Sequence, residues 1–275
     1  MGLHHRQAPI KERRNLNRQF FWSVMETDMY QFFVEPQQID LECRRVVIRG
    51  KDVNHIKNVL RMKPGEEISV SDGRDQKEYR CGILELSEDR VLCELRFVKQ
   101  EGVELPVKVF LFQGLPKGDK MELIVQKAVE LGVHEIIPVV SGRCVVRLDE
   151  KKAGARVLRW QKIAEAAAKQ SRRGIIPRVG EVISFRQAVR LASSMDLKII
   201  PYELAEGMER TRELLEGLMP GQSVAVFIGP EGGFEEKEVQ LASENGITPI
   251  TLGRRILRTE TAGIAVMSWI TYLCE

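Results

Sequence analysis

The chain has 275 residues, of which 43% are hydrophobic, and its 42 basic and 39 acidic side chains give a net charge of +3. This length and composition suit a globular protein with a sizeable core, and no apolar run reaches the roughly 18 residues that a membrane span needs. Five cysteines without a CxxC pair and four histidines without ligand spacing argue against a catalytic metal. The N-terminal residues lack a signal core, so we expect a soluble protein of the cytoplasm with no membrane partner.

Residues 1–28 show neither the helical nor the strand period of apolar residues and are predicted to be a flexible leader or extension. From Met29, short β-rich runs follow one another, separated by turn residues: QFFVEP, RRVVIRG, EEISVSDG, KEYRCGILEL and RVLCELRFVK. One helical run, DVNHIKNVLRM, interrupts them. The pattern predicts a small β-barrel domain over residues 29–104.

Beyond residue 104, strands and helices alternate. The strands are mostly continuous apolar runs, typical of a parallel sheet buried on both faces: VKVFLFQ, HEIIPVV, LKIIPYE, SVAVFIG and ITPITLG. One helix is predicted over MELIVQKAVELG, with Asp119 and Glu122 as a capping box, a second from about 155 to 171 and a third from about 260 to 273. An α/β domain is therefore predicted for residues 105–275.

The last helix is predicted to bury one apolar stripe, formed by Ala262, Ala265, Val266, Trp269 and Leu273. Further apolar residues lie outside that stripe: Ile264, Met267, Ile270 and Tyr272. More apolar surface than one core stripe needs favours a contact with a second subunit.

Basic residues concentrate between Ser141 and Gly180, where eleven Lys and Arg stand against three Asp and Glu. The segment carries +8 and the rest of the chain −5. Such a stripe suits a polyanion, because each phosphate that a cation neutralises releases counterions. The residues expected to contact RNA are Arg143, Arg156, Arg159 and Arg172. A solvated helix face is the alternative.

Two glycine-rich corners lie between predicted strands and helices, FIGPEGGF at 227–234 and LGRRILRTETA at 252–262. Glycines allow backbone N–H groups to approach a ligand, and the two corners together predict one pocket, although a tight turn with positive φ explains any single glycine equally well. Neither corner is a Rossmann GxGxxG fingerprint, GLPKGDK lacks the spacing of a P-loop, and no GxSxG elbow occurs. The possibility that remains is a ligand that is held largely by backbone groups, beside arginines and threonines.

Four motifs, in this order behind a small β domain, resemble the RsmE-type ribosomal RNA uridine-N3 methyltransferases of the SPOUT class: GLPKGDKMELIVQKAVELGV, RWQKIAEAAAKQS, FIGPEGGF and LGRRILRTETA. The resemblance covers residues 29–275. It implies a PUA-like RNA-binding β-barrel, followed by an α/β SPOUT methyltransferase domain with a parallel sheet and a trefoil knot. It also implies a homodimer that binds S-adenosyl-L-methionine and methylates a uridine of 16S rRNA, within an assembled small ribosomal subunit.

The resemblance further implies a cofactor site made of three stretches. They are the strand end at Tyr202 and Glu203, the first glycine corner and the second glycine corner. The corner residues expected to contact the cofactor are Ile228, Gly229, Gly232, Gly233, Leu252, Gly253, Ile256, Leu257, Thr261 and Ala262. Apolar residues would form the adenine slot, and glycines would admit the methionine part.

Methylation at uridine N3 requires a proton to leave while negative charge spreads onto the carbonyl oxygens. Arg258 is the first candidate to stabilise that charge, with Arg254 or Arg255 contacting phosphate. Glu231 and Glu260 are candidate proton acceptors. The alternatives are a turn-stabilising role for Glu231, a first-turn helix charge for Glu260, and solvent as the acceptor.

Two other functions stay open at this point. One is a non-catalytic RNA-binding protein, against which the intact Gly229, Gly233, Gly253, Arg258 and Thr261 argue. The other is a SPOUT methyltransferase that acts on another RNA base. The sequence departs from the family pattern at MYQFFV, where Gln31 stands in the place of the usual arginine.

Overall fold

The structure, a computed structural model, describes residues 29–275 except 101, 147 and 206, so the expectation for residues 1–28 lies outside the described residues. The described chain divides into two compact units. The small unit comprises residues 29–104 together with Ala168–Ile176, and the large unit comprises Leu105–Ala167 and Pro177–Glu275.

Six short strands of the described residues build the small unit, because apolar and polar side chains alternate along them. They are β1 (Gln31–Phe33), β2 (Ile39–Asp40), β3 (Arg45–Arg49), β4 (Glu67–Ser71), β5 (Glu78–Leu86) and β6 (Arg90–Lys99). Their order in the sheet is β1-β4-β5-β6-β3-β2, and every neighbouring pair is antiparallel except β1 with β4. The predicted small β domain is confirmed as a curled sheet.

Two helical segments lie within residues 29–104 of the described chain. One is a 3-10 turn, Pro36–Gln38, and the other overlaps the predicted run and begins one residue before it. This second segment consists of α1 (Lys51–Asn54) and a π-helical turn, His55–Val59. Val53 and Ile56 of this segment are buried in one hydrophobic cluster with the apolar residues of the sheet. The core that they complete includes Phe32, Val46, Ile48, Ile68, Val70, Cys81, Ile83, Val91, Cys93 and Leu95.

Buried polar contacts hold the segment Ala168–Ile176 in the small unit. The Arg173 side chain is only 3% exposed and forms a bidentate ion pair with Glu104, with Nη2 2.5 Å from Oε2 and Nε 3.2 Å from Oε1. Lys169 Nζ lies 3.3 Å from Asp52 Oδ1. These two cations of the basic sequence segment are therefore engaged within the fold.

A parallel sheet of seven strands, counted over the described residues, forms the large unit. In chain order the strands are β7 (Lys108–Gly114), β8 (Glu135–Val140), β9 (Arg178–Val179), β10 (Ile183–Ser184), β11 (Leu197–Pro201), β12 (Ser223–Ile228) and β13 (Thr248–Ile250). The sheet order is β10-β8-β7-β12-β11-β13, with β9 paired to β8. The predicted α/β fold is confirmed. The two-residue strands β9 and β10 were missed, because two residues carry no period.

Six helices lie beyond residue 104 in the described chain: α2 (Lys120–Glu130), α3 (Glu150–Gln170), α4 (Phe185–Ala192), α5 (Met208–Glu216), α6 (Glu236–Glu244) and α7 (Thr259–Cys274). Asp119 is the N-cap of α2 as expected, but its side chain makes no capping hydrogen bond in the described structure, so the predicted capping box is wrong. Helix α3 begins at Glu150, before the predicted residue 155. The prediction missed this start because the first turn of the helix is polar and shows no apolar period. Among the described residues, none of the helices combines the length and apolarity of a bilayer-crossing segment.

The stripe that α7 buries differs from the predicted one. Its buried residues are Thr259, Gly263, Val266, Met267 and Ile270. Only Val266 belongs to the predicted stripe, because a helix that is apolar nearly all round has no face that its period can single out. Trp269 and Leu273, predicted as core, are left half-buried.

Candidate active site

Three neighbouring strands of the large unit end at one pocket. Strand β12 leads into the first corner, β11 ends beside Tyr202, and β13 leads into the second corner. These strands are adjacent and parallel, so their carboxyl ends meet at the same edge of the sheet, where α/β folds bind ligands. The pocket has a volume of ≈ 460 Å³.

The pocket brings together nearly all residues that the sequence assigned to the cofactor. They are Tyr202, Glu203, Ile228, Gly229, Gly232, Gly233, Leu252, Gly253, Ile256, Leu257 and Ala262. Thr261 is the exception: it is exposed on the first turn of α7 and does not line the pocket. The candidate catalytic residues Arg258 and Glu231 also line it. Contact between each residue and a cofactor stays a prediction.

Close backbone packing shapes the first corner. A Cβ added to Gly114, the last residue of β7, would lie 2.7 Å from the N and Cδ atoms of Pro230, so only glycine fits there. A Cβ on Gly229 would lie 3.1 Å from the Cα of Gly233, which itself has a φ of +67°. The glycines therefore serve both as turn residues and as points of close approach.

Ionic contacts hold Glu231 of the first corner. Its Oε1 lies 2.8 Å from Lys120 Nζ and accepts a hydrogen bond from the backbone N–H of Lys117 at 3.1 Å. Partial burial opposes the charge of Glu231, but the hydrogen bonds from Lys120 and from backbone N–H groups outweigh it and lower the pKa of this carboxyl. A carboxylate with a lowered pKa is a weak base, and both of its oxygens already accept hydrogen bonds, so the geometry favours the turn-stabilising alternative.

Lys120 connects the two corners through a second carboxylate. Its Nζ lies 3.8 Å from Glu260 Oε2, a buried oxygen without a hydrogen-bond partner in the described structure. Lys120 lines the pocket, yet the sequence analysis assigned it no role, although it lies in the first of the four family motifs. Three of the motifs that carry the family resemblance thus meet at one cluster of charges.

A buried hydrogen-bond network lies behind the first corner. Thr259 Oγ1 donates to the Gly229 carbonyl at 2.6 Å and accepts from Gln113 Nε2 at 2.9 Å. Gln113 Nε2 also donates to the Gly114 carbonyl at 2.9 Å. Sequence reasoning missed both side chains. The available signal was Gln113, a lone polar residue at the end of an apolar strand.

The second corner is much more open. Ile256 is 88% exposed, and Arg254, Arg255 and Arg258 are also exposed. Arg258 is the N-cap residue of α7, and its guanidinium has no hydrogen bond or ion pair among the described residues. This corner therefore presents cations to the pocket that are available for a ligand.

The arginines predicted to contact RNA are divided between the two units and make different contacts. Arg143 donates to the Gly232 carbonyl at 2.9 Å and lines the pocket with Arg254. Arg156 and Arg159 lie on α3, where Arg159 Nη2 pairs with Glu122 Oε1 at 2.6 Å. Finally, Arg172 lies in the exposed part of the segment 168–176 that belongs to the small unit.

Gln31, the departure from the family pattern, contacts that same segment. Its Nε2 donates to the Arg173 carbonyl at 2.8 Å and lies 3.2 Å from Ser71 Oγ. The residue thus joins β1 to β4 and to the segment 168–176 within the small unit. Its side-chain amide has an intramolecular role.

Comparison with protein families gives two matches along the chain. Residues 103–271 match the RNA methyltransferase domain, and residues 48–96 match the RNA methyltransferase PUA domain. A ribosomal RNA small subunit methyltransferase E from Bacillus subtilis is 41% identical over 90% of this chain and 98% of its own length.

Solved structures agree with these matches. A ribosomal RNA small subunit methyltransferase E from Neisseria gonorrhoeae, bound to S-adenosyl methionine, is 34% identical and has a TM-score of 0.75, covering 89% of this chain and 98% of its own. A putative methyltransferase from Legionella pneumophila, in complex with the same cofactor, is 31% identical with a TM-score of 0.75, covering 90% and 98%.

By these matches, the chain is an RNA methyltransferase with a PUA domain. Within that class, the chain belongs to the ribosomal RNA small subunit methyltransferase E family. The family resemblance found in the four sequence motifs is confirmed.

Proposed function

We propose that this chain is an S-adenosylmethionine-dependent methyltransferase that modifies the N3 position of a uridine in 16S rRNA. The observation that carries the proposal is the pocket at the carboxyl ends of β11, β12 and β13, shared by both glycine corners. The proposed domains are a PUA-like RNA-binding barrel over residues 29–104 and a knotted SPOUT methyltransferase domain over 105–275.

The pocket residues suit this cofactor. Its volume, ≈ 460 Å³, lies within the range of roughly 300–1,000 Å³ that small-molecule sites have. Leu252, Ile256 and Leu257 supply apolar surface for an adenine, while Gly229 and Gly233 let the backbone approach the rest of the ligand. When bound, the cofactor supplies an electrophilic methyl group.

In the proposed mechanism, this chain's own residues stabilise the charge on the uracil. The Arg258 guanidinium, exposed at the pocket and without an intramolecular partner among the described residues, donates to the carbonyl oxygens as the N3 proton leaves. Arg254 or Arg255 contacts a phosphate. Glu231 remains an anion that orders Lys120, and solvent accepts the proton.

We propose that RNA also contacts the basic residues Arg156, Arg159 and Arg172. Replacing all three with alanine should weaken RNA binding and reduce the salt slope by roughly 1 for each phosphate contact that is lost. Affinity for S-adenosylmethionine should not change, since none of the three lines the pocket. An unchanged salt slope would show that these residues are only solvated surface.

The proposed active species is a homodimer in the cytoplasm that acts on assembled small ribosomal subunits. Its interface would include α7 around Trp269, where Tyr272 is 69% exposed. Met267 and Ile270, expected at this surface, are fully buried, so the half-buried Ile264, Trp269 and Leu273 take their place. Sedimentation that finds a fully active monomer would contradict this assembly.

Mass spectrometry of rRNA nucleosides from a strain without this gene tests the function as a whole. Loss of 3-methyluridine from 16S rRNA is the expected result, restored by the wild-type gene. Loss of a different methylated nucleoside would identify a methyltransferase of another base. An unchanged nucleoside profile, combined with no binding of S-adenosylmethionine to the purified protein, would identify a non-catalytic RNA-binding protein.

A further inference from the structure

We infer that Thr259 is a positioning residue, supported by Gln113, which holds the first corner in the shape that binds the ligand. The inference rests on the proposed cofactor pocket. It assigns a role to the residue just after Arg258, where the second corner becomes helix α7. Thr259 is 5% exposed and Gln113 is fully buried.

The donors and acceptors allow only one direction for this network. Gln113 Nε2 donates to both the Gly114 carbonyl and Thr259 Oγ1, each at 2.9 Å, which fixes the orientation of the amide. Thr259 Oγ1 therefore accepts one hydrogen bond, and its own single hydrogen is available for the Gly229 carbonyl at 2.6 Å. The hydrogen bonds therefore run from Gln113 to Thr259 and from Thr259 to Gly229, because each donor has only an acceptor facing it.

Gly229 needs such a partner more than most residues at a strand end. The peptide unit between Gly229 and Pro230 has no N–H, so its carbonyl is the one backbone group through which a hydrogen bond can hold it. Gly229 also lacks a side chain that could pack. Pro230 itself packs on Gly114, and its carbonyl accepts from the Gly233 N–H at 2.9 Å. The Thr259 hydroxyl is thus a direct side-chain link from the second corner's helix to the backbone of the first corner.

The burial of the network gives the link its strength. A buried donor or acceptor that loses its partner costs more than an exposed one, because water cannot replace the missing bond. If Thr259 lost its hydroxyl, the Gly229 carbonyl would lose this donor and Gln113 Nε2 would lose one of its two acceptors. The first corner would then shift relative to α7, and both line the same pocket.

Calorimetry of S-adenosylmethionine binding to the full chain tests the inference with three variants. Thr259→Val keeps the shape but removes the hydroxyl, and we expect about tenfold weaker affinity, equivalent to about 1.4 kcal/mol. Thr259→Ser keeps the hydroxyl and should bind within about twofold of wild type, since one methyl group is removed while the hydrogen bond is kept.

Thr271→Val is the matched control. Thr271 is on the same helix and its Oγ1 lies 2.8 Å from the Leu131 carbonyl, so the variant also removes a hydroxyl hydrogen bond. Thr271 does not line the pocket. We therefore expect a lower melting temperature with unchanged affinity, which separates a positioning role from a general loss of stability.

Each outcome decides the matter. Wild-type affinity in Thr259→Val, or equal losses in Thr259→Val and Thr259→Ser, would reject the role of the hydroxyl while leaving the proposed function intact. No binding by wild type would reject the cofactor and this assignment together. If Thr259→Val does not fold, Gln113→Met takes its place: a smaller loss of affinity supports the network, and no loss overturns it.

Discussion

The two glycine corners line the same pocket but are held in different ways. Side chains from three other segments hold the first corner: Lys120 pairs with Glu231, Arg143 donates to Gly232, and Thr259 donates to Gly229. The second corner is held at its two ends, where Thr211 Oγ1 donates to the Thr251 carbonyl at 3.0 Å and α7 begins at Thr259, but between them the Ile256 side chain is 88% exposed.

This contrast suggests that the first corner mainly binds the cofactor and that the exposed arginines of the second corner act on the RNA substrate. A corner whose backbone is already fixed suits the binding of one particular small molecule, because binding then costs little conformational entropy. An open corner with exposed arginines suits an RNA substrate, whose phosphates and base arrive from solvent. We therefore expect changes in the first corner to act mainly on cofactor affinity, and changes at the exposed arginines of the second corner to act mainly on turnover.

The largest effect is expected at Arg258. Arg258→Ala should lower the single-turnover methylation rate about 100- to 1,000-fold, the usual cost of removing one donor that stabilises developing negative charge. Arg258→Lys keeps the charge but loses the planar fork, so its rate should also fall. Cofactor affinity, measured on the same preparations, should persist in both variants.

Arg186→Ala is the control for Arg258, because Arg186 is an exposed arginine on α4 that does not line the pocket. It should leave both quantities unchanged. A parallel fall of rate, affinity and melting temperature in Arg258→Lys would indicate a structural role instead. Near-normal turnover by Arg258→Ala would rule out the catalytic role and would direct attention to Arg254 and Arg255.

Valine at Gly229 should have the next largest effect, this time on binding. Its Cβ would lie 3.1 Å from the Gly233 backbone, and the side chains that hold the corner prevent it from moving away. Overpacking of this kind costs about 1–3 kcal/mol, so cofactor affinity should fall about 5- to 150-fold. Isothermal titration, repeated with a chelator to test for metal dependence, measures this loss.

Gly253→Ala sharpens the comparison. Gly253 has a φ of +105°, which strains any L-residue, but an added Cβ would meet no atom within 4 Å. The open corner can adjust, so we expect a loss near 1 kcal/mol, the lower end of the cost of such strain. Gly154→Ala, in the exposed part of α3, should not change affinity. A greater loss at Gly253 than at Gly229 would reverse our assignment of rigidity.

The sequence predicted those parts of the fold that carry a clear apolar run or a glycine-rich motif. The apolar runs located β7, β8 and β12 within one residue of their observed ends and β11 within two, and the glycine motifs located the pocket. It could not choose the buried face of α7, where apolar residues surround the helix. Nor could it find Lys120 and Thr259, because their partners lie over a hundred residues away or across the sheet, and only the tertiary fold brings them together.

The smallest effect is expected from the Glu231 carboxylate, which holds the first corner through charge. Its pKa lies below the ordinary value of 4.5, so the ion pair with Lys120 stabilises the fold fully above about pH 4.5 and is lost as the pH falls through the lowered pKa. The Glu231 side chain is 29% exposed, and solvent screening limits such a pair to about 1 kcal/mol.

Glu231→Gln should therefore unfold more easily than wild type near neutral pH, and the difference should disappear in acid, where the wild-type carboxyl is also neutral. Urea unfolding across that pH range measures this difference, with Glu181→Gln, an exposed carboxylate outside the pocket, as the control that should show none. Cofactor affinity should fall only a few-fold, because Arg143 and Thr259 still hold the corner. If Glu231→Gln instead abolished turnover while binding and stability stayed normal, the carboxylate would be the proton acceptor, and the first corner would take part in the chemistry that we assign to the second.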